Sequence, residues 1–207
     1  MEVAGLTYRG PEITDHEILA DIPQEYRSLL HEMNGCVIFN GGLHIRGAVE
    51  SPDWHSLRHV WRGDLSLVKL FPAVKAADVP FAQDCFGDQF LLRSGLVHRL
   101  HAEYGELENL EIGLRAFVSR ANENPLEFLM LEPLDRFLGE GGELDVGQLL
   151  NVYPPFVMKE SGQGVSMKAV SMFEQIRFLA DFACQIADVP DGGRIEIKVI
   201  NLTESKR

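Results

Sequence analysis

Two apolar runs that reverse on glycine-bearing turns, set among segments of helical period, restrict what this chain can fold into more than any other feature. Cys36-Val37-Ile38-Phe39 runs into Asn40-Gly41-Gly42, and Leu43 to Arg46 then alternates apolar and polar. Gln89 to Leu92 and Leu96 to Leu100 flank Arg93-Ser94-Gly95 in the same way. Asn and Gly accept the positive φ that a tight reversal needs, so both stretches predict β-hairpins. A third strand is expected from Val79-Pro80-Phe81-Ala82, where Pro80 points to an edge strand or to the first residues of one.

Helical spacing fills much of the remainder. Thr14-Asp15-His16-Glu17 resembles a capping box opening a short helix. Pro23 suits the first turn of a helix to Met33, with Tyr26, Leu29, Leu30 and Met33 on one side and Asn34-Gly35 as its stop. Pro52 to Arg62 predicts a helix carrying Trp54, Leu57, Val60 and Trp61 on one face. Leu107 to Ser119 predicts another, lined by Leu110, Leu114, Phe117 and Val118, and Pro125 to about Leu138 a further one. Asp64 to Val74 has no decisive period. In the last third, Val152 to Val157 is extended because each proline pushes its predecessor out of helix. Val165 to Val170 reads as a strand, Ser171 to Ala187 as the clearest helix, and Ile195, Ile197 and Val199 as a final strand. Helices and hairpins mix without strict β-α-β alternation, which predicts an α+β fold with a mostly antiparallel sheet flanked by helices. The 207 residues suffice for one core, expected as a domain over 1–140 and a strand–helix–strand extension over 141–207 packed on it.

Charge excludes some partners. Nineteen basic against 31 acidic residues leave a net charge of −12. Nucleic-acid binders displace counterions with Lys and Arg, and no basic run occurs here, so neither nucleic acid nor an anionic membrane is an expected partner. A basic protein would be attracted, although acidity also simply keeps a protein soluble. Three cysteines, Cys36, Cys85 and Cys184, lie in apolar surroundings without a CxxC pair, which fits buried free thiols in a reducing cytoplasm. The first residues lack the pattern of a signal peptide, and no apolar stretch is long enough to span a bilayer.

No catalytic constellation stands out, so neither an enzyme nor a cofactor or metal is expected. His55 and His59 share a predicted helix face, but a zinc site needs three or four ligands and HExxH is absent, so they read as surface or rim histidines. His98 and His101, three apart on a strand, face opposite ways and read as solvent-facing. Asp84 and Asp88 bracket Cys85-Phe86-Gly87: a carboxylate pair can do acid–base work or hold magnesium, but Gly87-Asp88 is also ordinary turn chemistry. Nucleophile-elbow, phosphate-cradle and dinucleotide motifs are absent. Glu103, Glu106, Glu108 and Glu111 form a dense acidic run, read either as a docking patch or as the solvated start of a helix. Trp54, if partly exposed, could anchor a partner.

Three stretches together resemble the SUKH superfamily of bacterial immunity proteins and a yeast cell-wall-assembly regulator. Ile22-Pro23-Gln24-Glu25-Tyr26 with Asn34-Gly35 looks like its opening helix. Phe39-Asn40-Gly41-Gly42-Leu43 looks like its first hairpin. Val79-Pro80-Phe81-Ala82-Gln83-Asp84 with Gly87-Asp88-Gln89-Phe90 looks like its central strand motif. The likeness spans about residues 20 to 138 and leaves 145 onward unmatched. It implies an α+β fold and a protein-binding role, in many members the neutralisation of a toxin, often a nuclease. The motif residues Pro23, Tyr26, Asn34, Gly35, Gly41, Gly42, Pro80, Phe81, Asp84, Gly87 and Asp88 are expected to be structural. The expected function is therefore a non-enzymatic, immunity-type protein that binds a basic toxin. A regulatory module of the same fold, and a small-ligand binder or enzyme using Asp84 and Asp88 in a deep polar pocket, are the alternatives.

Overall fold

The computed structural model describes residues 4–190 and 192–193; the strand expected at Ile195 to Val199 lies outside them. The chain is an α+β protein built on a seven-stranded antiparallel sheet whose strands lie side by side in chain order: β1 (Tyr8–Arg9), β2 (Cys36–Ile38), β3 (Leu43–Ile45), β4 (Val79–Asp84), β5 (Gln89–Arg93), β6 (Leu96–His101) and β7 (Glu106–Asn109). Both expected hairpins form, with Ile38 opposite Leu43 and Arg93 opposite Leu96. A separate two-stranded sheet pairs β8 (Gln148–Tyr153) with β9 (Ser166–Ser171).

The large sheet buries both faces. Along β5, Phe90 and Leu92 join one apolar cluster and Leu91 the other, as period-two alternation requires. The first cluster takes Tyr26 and Leu30 of α2 (Gln24–Glu32) and Leu114, Phe117 and Ala121 of α5 (Leu114–Glu123). The second takes Leu67 of α4 (Leu67–Leu70) and Met172, Ile176, Leu179, Ala180 and Ala183 of α8 (Met172–Ile186). Those five residues of α8 fall at spacings of three and four, so one side of this helix covers the sheet.

Several expected elements differ, each for a local reason. α1 (His16–Asp21) is capped by Asp15, which accepts from Ile18 N–H, while Thr14 Oγ1 accepts from Glu50 N–H instead. Pro23 stands just before α2 rather than in its first turn. The helix over 52–62 is broken at Ser56 into a 3₁₀ turn (Asp53–His55) and α3 (Leu57–Trp61), so Trp54 and Trp61 share no face. Residues 107–109 belong to β7, and α5 begins only after Gly113. The helix from Pro125 stops as α6 (Pro125–Phe128), Met130 takes φ +55°, and α7 (Glu132–Gly139) restarts with Pro133 in its first turn, where proline cannot continue a helix from upstream. β4 is central and not an edge strand, but Pro80 does stand at its entry, before the pairing with β3 begins and beside a bulge at Phe81. Cys36 and Cys85 are buried as expected, but Cys184 is exposed.

The bulge is held by a buried polar chain. Arg46 is fully buried; its Nη1 donates to the carbonyls of Pro80 (2.8 Å) and Ala82 (3.2 Å), and its Nη2 to Gln83 and Gln89 side-chain oxygens at 2.6 Å. Tyr26 Oη donates to the carbonyls of Arg46 and Phe81. His44 Nε2 lies 2.9 Å from His55 Nδ1, and His55 Nε2 lies 2.9 Å from the Asn34 carbonyl. The carbonyl can only accept, so His55 carries its proton on Nε2 and accepts from His44. Burial presses His44 well below the usual imidazole range and His55 to about 4. His55 is thus a core residue and not a rim histidine, and His59 packs apart from it against Phe173.

Candidate functional site

A cleft of about 500 Å³ opens where the end of β6, the start of α7, the segment after β8, and α8 meet. Its register was set by the second hairpin. With Arg93 opposite Leu96, Phe90 falls opposite Arg99, and the same register carried on brings Asp88 toward His101. The turn between β4 and β5 is an Asp turn: Asp84 Oδ1 accepts the N–H groups of Phe86, Gly87 and Asp88 at 2.9, 2.9 and 3.0 Å. Gly87 there has φ +111°, a conformation that suits glycine, and a Cβ on it would lie 2.4 Å from Leu179 Cδ1, so a side chain here would also push on α8.

The floor is ionic. Arg99 Nε donates to Asp88 Oδ2 at 2.7 Å and Nη2 to Asp84 Oδ2 at 3.2 Å. Asp88 also accepts from Ala102 N–H, and its Oδ2 lies 3.3 Å from His101 Nδ1, whose Nε2 reaches Glu108 at 3.0 Å. His101 stacks on Tyr104. It is therefore half-buried between two carboxylates and not the solvent-facing residue its strand position suggested. Burial, then the Asp88 charge, push the Asp84 carboxyl up to about 7 against the pull of Arg99 and the backbone N–H groups. Burial works to raise Asp88 too, but His101 and Arg99 outweigh it and hold it below the usual carboxylate range. The Asp88 hydrogen bond raises His101. Glu103 is pushed up by burial, and its two oxygens accept the N–H groups of Phe156 (3.0 Å) and Val157 (2.8 Å), which ties the segment after β8 to the end of β6.

The walls are apolar. Phe86, Val152, Pro155, Phe156, Val157 and Leu179 line the cleft with Met130, Pro133, Tyr104 and Phe178. Tyr104, Met130, Phe156, Val157 and Phe178 are all more than a third exposed, so they form a ring of apolar surface at its mouth.

The expected site residues divide accordingly. Asp84 and Asp88 meet at Arg99, and Glu103 lines the cleft. Glu106 and Glu108 stand exposed on β7 beside it, and Glu111 lies past that strand with φ +57°. The acidic run is a turn and an edge strand, not a helix start. Trp54 lies elsewhere, half-buried against Tyr8 and His44. Asn34 ties Pro11 to Ala48, and Gly35, Gly41 and Gly42 turn the first hairpin's ends. Arg99, Tyr104, Phe156 and Phe178 were not foreseen. The hairpin register carried a signal for Arg99: it sets a charged residue opposite Phe90. No group of three or more His, Cys, Asp or Glu able to hold a metal occurs among the described residues, nor any helix long and apolar enough to cross a membrane.

No protein-family model and no curated protein matches the chain. Among solved structures it is similar to that of Atu4351 from Agrobacterium tumefaciens, at a TM-score of 0.54 and 14% identity, over 84% of this chain and 85% of that one. That likeness concerns the fold alone: both chains share the α+β architecture.

Proposed function

We propose that the protein is a docking module without catalysis of its own, of the immunity type, which binds and blocks a basic, nucleic-acid-cleaving toxin in the cytoplasm. The observation that carries this is the mouth of the cleft. Five exposed large apolar side chains gather there, and the carboxylates of Glu103, Glu132, Glu106 and Glu108 lie in or beside the same face. Apolar patches edged by charge mark sites where proteins associate, with aromatic anchors contributing most of the affinity. The net charge of −12 supplies long-range attraction for a cationic partner and competes with its nucleic-acid substrate. The floor supports a structural role for the expected carboxylate pair: Asp84 is occupied by three backbone N–H groups and Arg99, and both His101 nitrogens face carboxylates.

The test is complex formation with the product of the adjacent gene, together with rescue of growth when both are expressed. The expected result is a complex weakened at least tenfold by Phe156→Asp, and slowed in association by Glu106→Lys with Glu108→Lys in a salt-dependent way. Absence of both complex and rescue would overturn the toxin reading, and a complex with a harmless neighbour would turn it into a regulatory one.

A further inference from the structure

Arg99 is 8% exposed, yet part of its guanidinium is unused. Nε and Nη2 serve Asp88 and Asp84, whereas Nη1 donates to no group among the described residues. Among those residues the side-chain polar atoms sealed away without a partner are Arg46 Nε and Ser66 Oγ, so Arg99 Nη1 is not sealed, and Arg99 is one of the residues lining the cleft. Apart from the Glu132 carboxylate and the Tyr104 hydroxyl, for which no partner occurs among the described residues, the polar groups around it are engaged. Both Glu103 oxygens accept backbone N–H groups, both His101 nitrogens face carboxylates, and Gln175 spans the carbonyls of Phe86 and Leu150 while accepting from Asn151.

We propose that the cleft is a binding site for a neutral, largely apolar small molecule bearing a carbonyl oxygen, which Arg99 Nη1 receives while the hydrocarbon part lies along Phe86, Phe156, Phe178 and Leu179. The donor selects an acceptor. Asp84, Asp88 and Glu103 beside it, and the net charge of −12, disfavour an anionic head. A cationic head would meet Arg99 itself. The walls give a sugar or nucleotide too few polar partners, and a volume of about 500 Å³ suits a small ligand. This inference shares Phe156 and Phe178 with the docking reading, but titration of the isolated chain tests it separately.

Calorimetric titration of the full chain with three probes of matched length, methyl octanoate, octanoate and octylamine, tests it. Saturable binding of the ester, at least about tenfold tighter than of either charged probe, is expected. Arg99→Lys should weaken the ester about tenfold, the worth of a hydrogen bond from a charged donor. Val157→Asp, on an exposed part of the wall, should abolish binding with an unchanged melting temperature. A charged probe binding as tightly as the ester, no saturable binding, or ester affinity unchanged in a folded Arg99→Lys chain would each overturn the proposal. Should Arg99→Lys fail to fold, unchanged ester affinity in Val157→Asp would overturn it instead. None of these outcomes touches complex formation with a partner protein.

Discussion

At the scale of single residues, histidines separate most clearly by surroundings. His44 and His55 are sealed in the core and hydrogen-bonded as neutral rings, while His101 sits between Asp88 and Glu108. A folded-state midpoint depressed to about 4 means that His55 stabilises fully above the ordinary imidazole midpoint, and that this contribution fades as pH falls from about 6.5 toward 4. The loss from that one ring is on the order of 3 kcal/mol. The raised His101 works the other way: its contribution is complete at low pH and is lost as pH rises through its folded midpoint. Ring resonances of His44 and His55 are therefore expected to stay unchanged from pH 8 to 5, with His101 titrating above 6.5; a His55 midpoint near 6.5 would contradict the buried chain. None of this was legible in the sequence, because a residue's own spacing does not say which layer its strand or turn will occupy.

At the scale of elements, caps and breaks decided the boundaries. Asp15 is 3% exposed, caps α1, and receives Arg58 through two hydrogen bonds, so it joins α1 to α3. Burial opposes its charge, but the Arg58 hydrogen bonds dominate and hold its carboxyl below the usual range. Asp15→Ala removes a cap worth about 1 kcal/mol and leaves Arg58, itself partly solvated, with Glu17 as its remaining partner. The expected loss is about 1–3 kcal/mol in urea unfolding at pH 7, against about 0.5 kcal/mol or less for Thr14→Ala. Equal effects of the two substitutions would return the cap to Thr14. The hairpins and α8 were readable because their periods run unbroken, whereas Leu107 to Ser119 mixed a strand's end with a helix's start. Its apolar residues fit a helical stripe, but the N–H of Leu110 goes to Val97 across the sheet.

At the scale of the whole molecule, the cleft belongs to two stretches of chain. Arg99 comes from β6 and Asp88 and Glu103 from turns beside it, while Val152, Phe156, Gln175 and Phe178 come from the segment after residue 140. α8 also covers Leu91 and Leu100, together with Val60, Leu67 and Phe71. Residues 1–140 alone are expected to lose the cooperative melting of the full chain and to bind a fluorescent apolar dye, since the part of one sheet face that α8 covers is uncovered. A sharp transition within a few degrees of the full chain's, with no dye binding, would show that face to be dispensable.

Local chemistry by itself determined the fold class, the two hairpins and the last helix. Turn residues and apolar period act over a few neighbours and need nothing distant. Only the tertiary structure decided that β4 is central, that His55 is core, and that Arg99 joins Asp84 and Asp88 beneath an apolar cleft. Each of these depends on pairing register and on which helix covers which face, and those are settled by burial summed over the whole chain rather than by any one segment.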